Sequence, residues 1–362
     1  MLKRRISGVL LAGILLLSGG ITVMVSEAAV PDISKNLKVV KYFEMAEGLA
    51  TPEVSFKFTV EQSGQNPQST PDLTVAEVTY GVTDEEEPIK GIRKIKKEAE
   101  VTIPEANQFP HAGEYLYTIK ETNEHTQYSD ITYSVEEYVV RVRVKNAAAG
   151  NKLEIASVTA NKNAENDADK NKNKVSEISF TNTYAKDKRL TIEKKTTGDF
   201  GDKTKKFDFA ITFTKKAEDD TAIYKGKIGD QPIDCTAGEK KTFQLSDGEK
   251  LVFDSIPVGT RYVVEEAGAQ DGYTPSVTVT ENGITHQKKT AAGENQGISS
   301  VPDNAPDSLV GEKDNMVVFE NNYQEIAMTG VIMNNLPFVL LVAVSVAAIG
   351  ILLLMKRKTS GK

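Results

Sequence analysis

Between about residue 30 and residue 325, apolar and polar positions alternate in short runs rich in Val, Ile, Thr, Tyr and Phe, each bounded by clusters of Gly, Pro, Asn and Asp. Alternation places successive side chains on opposite faces of a strand, and no long stretch keeps the period of an amphipathic helix. The pattern predicts an all-β region of sandwich type. Several runs recur in the same order, so the region is two copies of one plan. Ser55-Phe56-Lys57-Phe58-Thr59-Val60 answers Phe207-Asp208-Phe209-Ala210-Ile211. Gly113-Glu114-Tyr115-Leu116-Tyr117-Thr118-Ile119-Lys120-Glu121 answers Gly259-Thr260-Arg261-Tyr262-Val263-Val264-Glu265-Glu266, and Phe180-Thr181-Asn182-Thr183-Tyr184 answers Phe319-Glu320-Asn321-Asn322-Tyr323. The copies meet near Ala185 to Lys188.

Residues i, i+2 and i+4 of a strand share a face. In the opening strand of each copy, Leu37, Val39 and Lys41 fall together, as do Leu190, Ile192 and Lys194. In the middle strand Tyr115, Tyr117, Ile119 and Glu121 align, as do Tyr262, Val264 and Glu266; in the last, Ile178, Phe180, Asn182 and Tyr184 align, as do Val317, Phe319, Asn321 and Tyr323. Each copy therefore points one Lys, one Glu and one Asn toward its own core. Charged groups are rarely buried unless paired. An ion pair with a nearby Asn, or a lysine reaching out to water from a strand end, would explain one copy alone. The same three residue types in the same order and on the same faces in both copies point to shared chemistry.

The two ends carry targeting signals. Lys3, Arg4 and Arg5, the apolar run Ile6 to Leu17 and the small-x-small triplet Ser26-Glu27-Ala28 read as a secretory signal peptide over residues 1–28; the alternative is an N-terminal membrane anchor. Leu336 to Met355 is apolar over about the thickness of a bilayer and is followed by Lys356-Arg357-Lys358, which should stay cytoplasmic. Just before it stands Ile326-Ala327-Met328-Thr329-Gly330. Motif, apolar span and basic tail together resemble the cell-wall sorting signal of Gram-positive surface proteins, in which a membrane sortase cuts between Thr and Gly and passes the Thr to an amine. Ile and Ala stand here where that signal usually has Leu and Pro, so the likeness rests on Thr329-Gly330 and its context. An ordinary single-pass anchor is the alternative.

With both ends and both copies in view, the sequence resembles the two-domain backbone pilins of Gram-positive bacteria, of the streptococcal T-antigen type. The resemblance implies two tandem immunoglobulin-like β-sandwich domains, residues 29–185 and 186–325, followed by the sortase motif 326–330 and a membrane segment with its basic tail, 331–362, removed on sorting. It implies self-formed isopeptide bonds: the lysine of the first strand attacks the side-chain amide of the asparagine in the last, and a buried glutamate assists. Lys41, Glu121 and Asn182 match that pattern in the first domain, and Lys194, Glu266 and Asn321 in the second. The chemistry suits these residue types, because an apolar pocket lowers a lysine pKa and raises that of a carboxyl. A protonated Glu could then donate to the Asn carbonyl oxygen and carry protons as ammonia leaves.

The resemblance further implies polymerisation by a pilin-class sortase, joining Thr329 to a lysine just before the last strand of the first domain in the next copy. Lys174 is the candidate, with Lys170, Lys172 and Lys186 as competitors. Other implied partners are copies of the same chain, minor pilins and peptidoglycan or its precursor, with the product at the surface of a Gram-positive cell as pilus and cell-wall material. The competing class is a monomeric wall-anchored adhesin or stalk built from the same domains. An enzyme with turnover is not expected. Residues 161–174, polar except for Ala, are expected to form an exposed loop.

Composition narrows the picture further. At 362 residues the chain can bury two cores, and its net charge of -7 argues against nucleic acid as a partner. No cofactor or metal is expected. Asp167-Ala168-Asp169-Lys170-Asn171 begins like a calcium loop, but Lys172 stands where Gly is required and Ile178 where Glu is expected. His111, His125 and His286 have no ligand spacing, and the single cysteine, Cys235, can form neither an internal disulfide nor a thiolate cluster. Its simplest role is that of a small, partly buried side chain. A secreted chain without disulfides needs another staple, and the Lys–Asn pairs would supply it. N-terminal sequencing of surface-extracted protein is expected to begin at Ala29; a chain beginning at Met1 would make the first segment an anchor.

Overall fold

A computed structural model describes residues 37–122, 128–148, 151–162, 174–269, 271–301, 307–323, 340–342 and 344–351. The segment 1–28 expected to be a signal peptide, the expected sortase motif 326–330 and most of 331–362 lie outside these residues. Residues 340–342 and 344–351 are helical; among the described residues no helix is long and apolar enough to cross a membrane.

The rest is almost all β. In the first half, one sheet has the strand order Thr74–Val75, Ile92–Thr102, Lys38–Ala46, Ile178–Tyr184, Ile131–Thr132. It faces a second sheet ordered Lys174–Val175, Leu153–Lys162, Glu137–Asn146, Gly113–Glu121, Phe58–Gln62. Their inner faces share one core, with Val39, Phe43 and Phe180 from one sheet meeting Tyr117, Ile119 and Val140 from the other. In the second half, a large sheet centred on Asp187–Thr197 and Asn315–Tyr323 faces a sheet built on Phe207–Phe213 and Arg261–Glu266. Leu190, Ile192, Phe319, Phe209 and Val264 fill that core. Among the described residues every strand pairing lies before Ala185 or after Lys186. The two halves are thus a tandem pair of immunoglobulin-like sandwiches with separate cores.

The alternation explains these elements. In Gly113–Glu121 the inward residues Tyr115, Tyr117, Ile119 and Glu121 are buried while their neighbours are partly or fully exposed. One segment departs from expectation. Asn161 and Lys162 end the Leu153–Lys162 strand, and Asn161 is buried, because pairing with Val139 on one side and Lys174 on the other continues past the last apolar residue. Lys174 is likewise in a short strand, half-buried, and residues 163–173 lie outside the described set.

The opening and closing strands of each sandwich lie side by side and parallel. Each closing strand therefore runs the same way as the strand that entered the domain, and the first hands the chain directly to Asp187–Thr197.

The sandwiches meet in a polar clasp around a close backbone approach. Val258 of the second packs into the first core, and its N–H donates to Lys186 O at 2.8 Å. Glu312 accepts from Lys186 Nζ at 2.5 Å and from Ala50 N at 2.9 Å, while its own N–H reaches Gly48 O. Arg261 donates to Glu47 at 2.5 Å. Gly259 allows the approach: its φ is +85°, and a Cβ there would stand 2.7 Å from that of Ala46. Burial alone would raise the Glu312 carboxyl, but Lys186 and the Ala50 amide hold it below the usual range. Replacing Glu312 by Ala leaves the Ala50 amide without its acceptor. Hydrogen exchange of that amide is expected to speed up roughly ten- to hundredfold, equivalent to about 1.5–3 kcal/mol; an unchanged rate would mean that the carboxylate does not hold the joint.

Candidate functional site

Lys41 sits mid-strand between Val39 and Phe43, and the parallel register sets it opposite Phe180, with Asn182 opposite Phe43. Lys194 lies opposite Phe319, and Asn321 opposite Thr196. The asparagine thus falls two positions beyond the lysine's partner in both sandwiches, so the two side chains lean toward each other along one face. The glutamate comes from the facing sheet, at the end of Gly113–Glu121 or of Arg261–Glu266. Six residues far apart in sequence are brought into two clusters, one at the heart of each core.

In the first cluster the side chains of Lys41, Glu121 and Asn182 are all fully buried. Lys41 Nζ donates to Glu121 Oε2 at 3.0 Å, and Asn182 Nδ2 donates to Glu121 Oε1 at 2.6 Å, so one carboxyl spans amine and amide. Asn182 Oδ1 accepts from the backbone N–H of Ser134 at 2.8 Å. In the second cluster, equally buried, Lys194 Nζ lies 3.0 Å from Glu266 Oε1, and Asn321 Nδ2 donates to that same oxygen at 2.6 Å. Glu266 Oε2 and Asn321 Oδ1 are buried with no hydrogen-bond partner among the described residues. The sequence-based expectation that the glutamate faces the asparagine carbonyl oxygen is met in neither cluster: in the second Glu266 takes the Asn321 nitrogen, and in the first Glu121 takes that of Asn182. There the carboxyl faces the amide nitrogen, because the oxygen is already held by a backbone donor.

Aromatic rings wall off both amines. Lys41 Nζ is 4.6 Å from the Phe56 ring centroid, and Lys194 Nζ is 4.3 Å from that of Phe207. One turn of the repeat further, Phe58 packs on Phe180 and Phe209 on Phe319, each pair at 5.2 Å. Tyr80 Oη donates to Lys41 O at 2.7 Å and fixes the backbone beneath the amine. These partners were not singled out as site residues from sequence. The repeated Phe-x-Phe was the available signal for the rings; a backbone N–H such as that of Ser134 leaves none.

Burial sets the proton affinities. It pulls Lys41 from 10.5 down to about 8 against the opposing pull of Glu121, and Lys194 to about 8 against Glu266. Burial likewise raises both carboxyls, opposed by the lysines and the Asn amides. Each shift favours the neutral form, so burial moves both pairs toward a neutral amine beside a protonated carboxyl. Such a cluster can carry an acyl transfer: a nucleophilic amine, an amide, and a group able to pass a proton between two nitrogens.

The other sequence candidates fall elsewhere. The residues expected to form a sortase motif, Ile326 to Gly330, and Lys170 and Lys172 lie outside the described residues, as does His125. Lys186 is in the clasp, where its hydrogen bond to Glu312 raises its pKa and keeps it charged. That makes it a poor nucleophile. Cys235 is fully buried in the second core rather than partly so, paired with Tyr224 across a hairpin, and burial pushes its thiol up to about 11. His286 lies 3.1 Å from Glu281 at the surface.

Residues 31–185 match a family described as the Spy0128-like isopeptide containing domain (FctA), and residues 188–296 match a domain family of unknown function. The chain is 29% identical over 180 residues to a pilin of Streptococcus pyogenes serotype M1, covering 47% of this chain and 49% of the pilin. It is 34% identical over 145 residues to the pilus tip adhesin Cpa of Streptococcus pyogenes, covering 39% of this chain and 18% of the adhesin. The chain thus matches about half the length of the first relative and less than a fifth of the second. A crystal structure of the major pilin from Streptococcus pyogenes aligns over 80% of this chain and 98% of that one, at 22% identity and a TM-score of 0.37. The chain is similar, then, to streptococcal pilus proteins.

Asn182→Ala with Asn321→Ala keeps both lysines as free amines. An unfolded lysine holds its proton up to about 10.5, the folded one only to about 8. Between these values the unfolded state binds more protons, so this contribution to stability rises with pH. Urea midpoints at about pH 8 and about pH 10 are expected to rise relative to the same chain carrying Lys41→Met and Lys194→Met. Equal slopes would mean that the amines are not held in a dry site.

Proposed function

We propose that the chain is the structural subunit of a covalent cell-surface pilus, built from two sandwich domains, residues 29–185 and 186–325, each stapled by an isopeptide bond. The observation that carries this is the repeated cluster: in two separate cores, a fully buried Lys and Asn on adjacent parallel strands share one Glu from the opposite sheet.

Neutral Lys41 attacks Cγ of Asn182, the C–N bond forms, and the amide nitrogen leaves as ammonia. Glu121 gives a proton to the departing nitrogen through Oε1 and takes one from Nζ through Oε2, so it ends as it began. Glu266 plays the same role for Lys194 and Asn321, but through a single oxygen, Oε1, which faces both nitrogens and passes the proton from one to the other. The fold supplies proximity and exclusion of water. Each site reacts once, so the protein has no turnover. Lys41–Asn182 closes a loop of about 140 residues and Lys194–Asn321 one of nearly 130; on the chain-entropy model each closure contributes about 5 kcal/mol.

After export and removal of residues 1–28, a pilin-class sortase would cut Ile326-Ala327-Met328-Thr329-Gly330 after Thr329 and join that residue to Lys174 of the next copy. Likeness to streptococcal pilus proteins supports this assembly and a cell-surface location, with minor pilins and peptidoglycan as further partners. The second reading, a monomeric wall-anchored adhesin, draws on the likeness to Cpa.

Detergent-boiled surface extracts are expected to give a high-mass ladder that Lys174→Ala collapses to monomer; a wild type that is monomer only favours the adhesin. The intact mass of the folded chain is expected to fall short of the sequence mass by two ammonia molecules, with Glu121→Ala and Glu266→Ala each restoring one. A full sequence mass would refute the crosslinks.

A further inference from the structure

In the first sandwich the carboxyl of Glu121 faces the attacking amine and the departing nitrogen, so it is not the group that meets the negative charge forming on the amide oxygen. That oxygen already has a partner. Asn182 Oδ1 accepts from the Ser134 backbone N–H at 2.8 Å in a buried setting. A backbone N–H can only donate, so this contact determines which end of the amide is oxygen and which is nitrogen.

The donor is held in place from two sides. Ser134 follows the short Ile131–Thr132 strand, which pairs with the closing strand at Thr183 and Tyr184, beside Asn182. Its own Oγ accepts from Glu136 N at 3.3 Å, a local turn that shapes the loop. Donors fixed in advance toward a developing charge, in a site without water, need no reorganisation during the reaction.

We infer that the Ser134 N–H acts as the oxyanion donor for the Lys41–Asn182 bond, an inference that rests on the crosslinking proposed above. As Lys41 Nζ bonds to Cγ, the carbonyl π pair moves onto Oδ1 and is stabilised by the Ser134 N–H. When the carbonyl re-forms, the Cγ–Nδ2 bond breaks, and the nitrogen leaves as ammonia with the proton from Glu121, which recovers one from Nζ. Every atom and proton is accounted for within Lys41, Asn182 and Glu121. The second sandwich has no equivalent among the described residues: Asn321 Oδ1 is buried without a partner, and its amide is held only at the nitrogen end by Glu266. Two sites with the same three side chains therefore differ in what holds the amide oxygen.

The test replaces the Ser134 amide by an ester, through cell-free synthesis of the full chain with the corresponding α-hydroxy acid, and follows each crosslinked peptide over time by mass spectrometry. The expected result is that Lys41–Asn182 forms roughly a hundredfold more slowly while Lys194–Asn321 keeps its parental rate. Ser134→Ala, which retains the N–H, is expected to react within a few-fold of the parent. Parental rates for both bonds in the ester chain would overturn the inference while leaving the crosslinks intact; no crosslinked peptide in the parent would sink the crosslinking itself. A second measurement needs no variant. Ser134 lies outside the strands, so slow hydrogen exchange of its amide in the parent is expected from the bond to Asn182 Oδ1, and fast exchange would overturn the assignment.

Discussion

The structure depends on the desolvation of two lysine amines. A cation removed from water without compensation costs several kcal/mol, and Lys41 and Lys194 are each completely buried. Everything around them reduces that cost. A carboxyl is brought from the opposite sheet, phenylalanine rings close the pocket, and both ionisable groups shift toward their neutral forms. The same burial that makes the amine costly as a charge makes it useful as a nucleophile. A site that would be a defect in an ordinary core becomes, on the proposed reading, the source of its covalent staple.

The clasp between the sandwiches shows how far the setting decides the chemistry of one residue pair. Lys186 and Glu312 are also a lysine and a glutamate in contact, yet there the lysine is raised and the carboxyl lowered, so both stay charged. In the cores the directions are reversed. The difference is water: the clasp pair keeps about a quarter of its side-chain surface exposed, whereas the core pairs keep none. The charged pair orients the carboxylate that takes the Ala50 amide across the joint, whereas in the cores burial favours the neutral forms.

Topology gives the proposed bonds their mechanical sense. Because the opening and closing strands of each sandwich are parallel neighbours, a load applied at the termini would enter by one and leave by the other. Held by hydrogen bonds alone, these strands could slide past each other. A covalent link between Lys and Asn would carry the load across that pair without unzipping the sheets. The clasp around Glu312 and the close approach at Gly259 then hold the two units together without adding a crosslink of their own.

The inward alternation of Lys41, Glu121 and Asn182, and of Lys194, Glu266 and Asn321, was legible because a strand's period of two assigns each residue a face, and the repeat supplied the comparison that one copy lacks. The all-β class and the tandem plan followed from the same alternation. Pairing and orientation were not legible there. That Asn161 would be buried at a strand end depended on partners distant in sequence, and so did the withdrawal of Lys186 into the clasp. Which end of the Asn182 amide meets Glu121 was decided by the Ser134 N–H, and every non-proline residue has such a group, so no side-chain pattern marks it. Sequence alone determined which residues face inward, because that is set by local backbone geometry. Only the tertiary structure decided what each polar atom meets there, because hydrogen-bond partners are fixed by how the sheets come together.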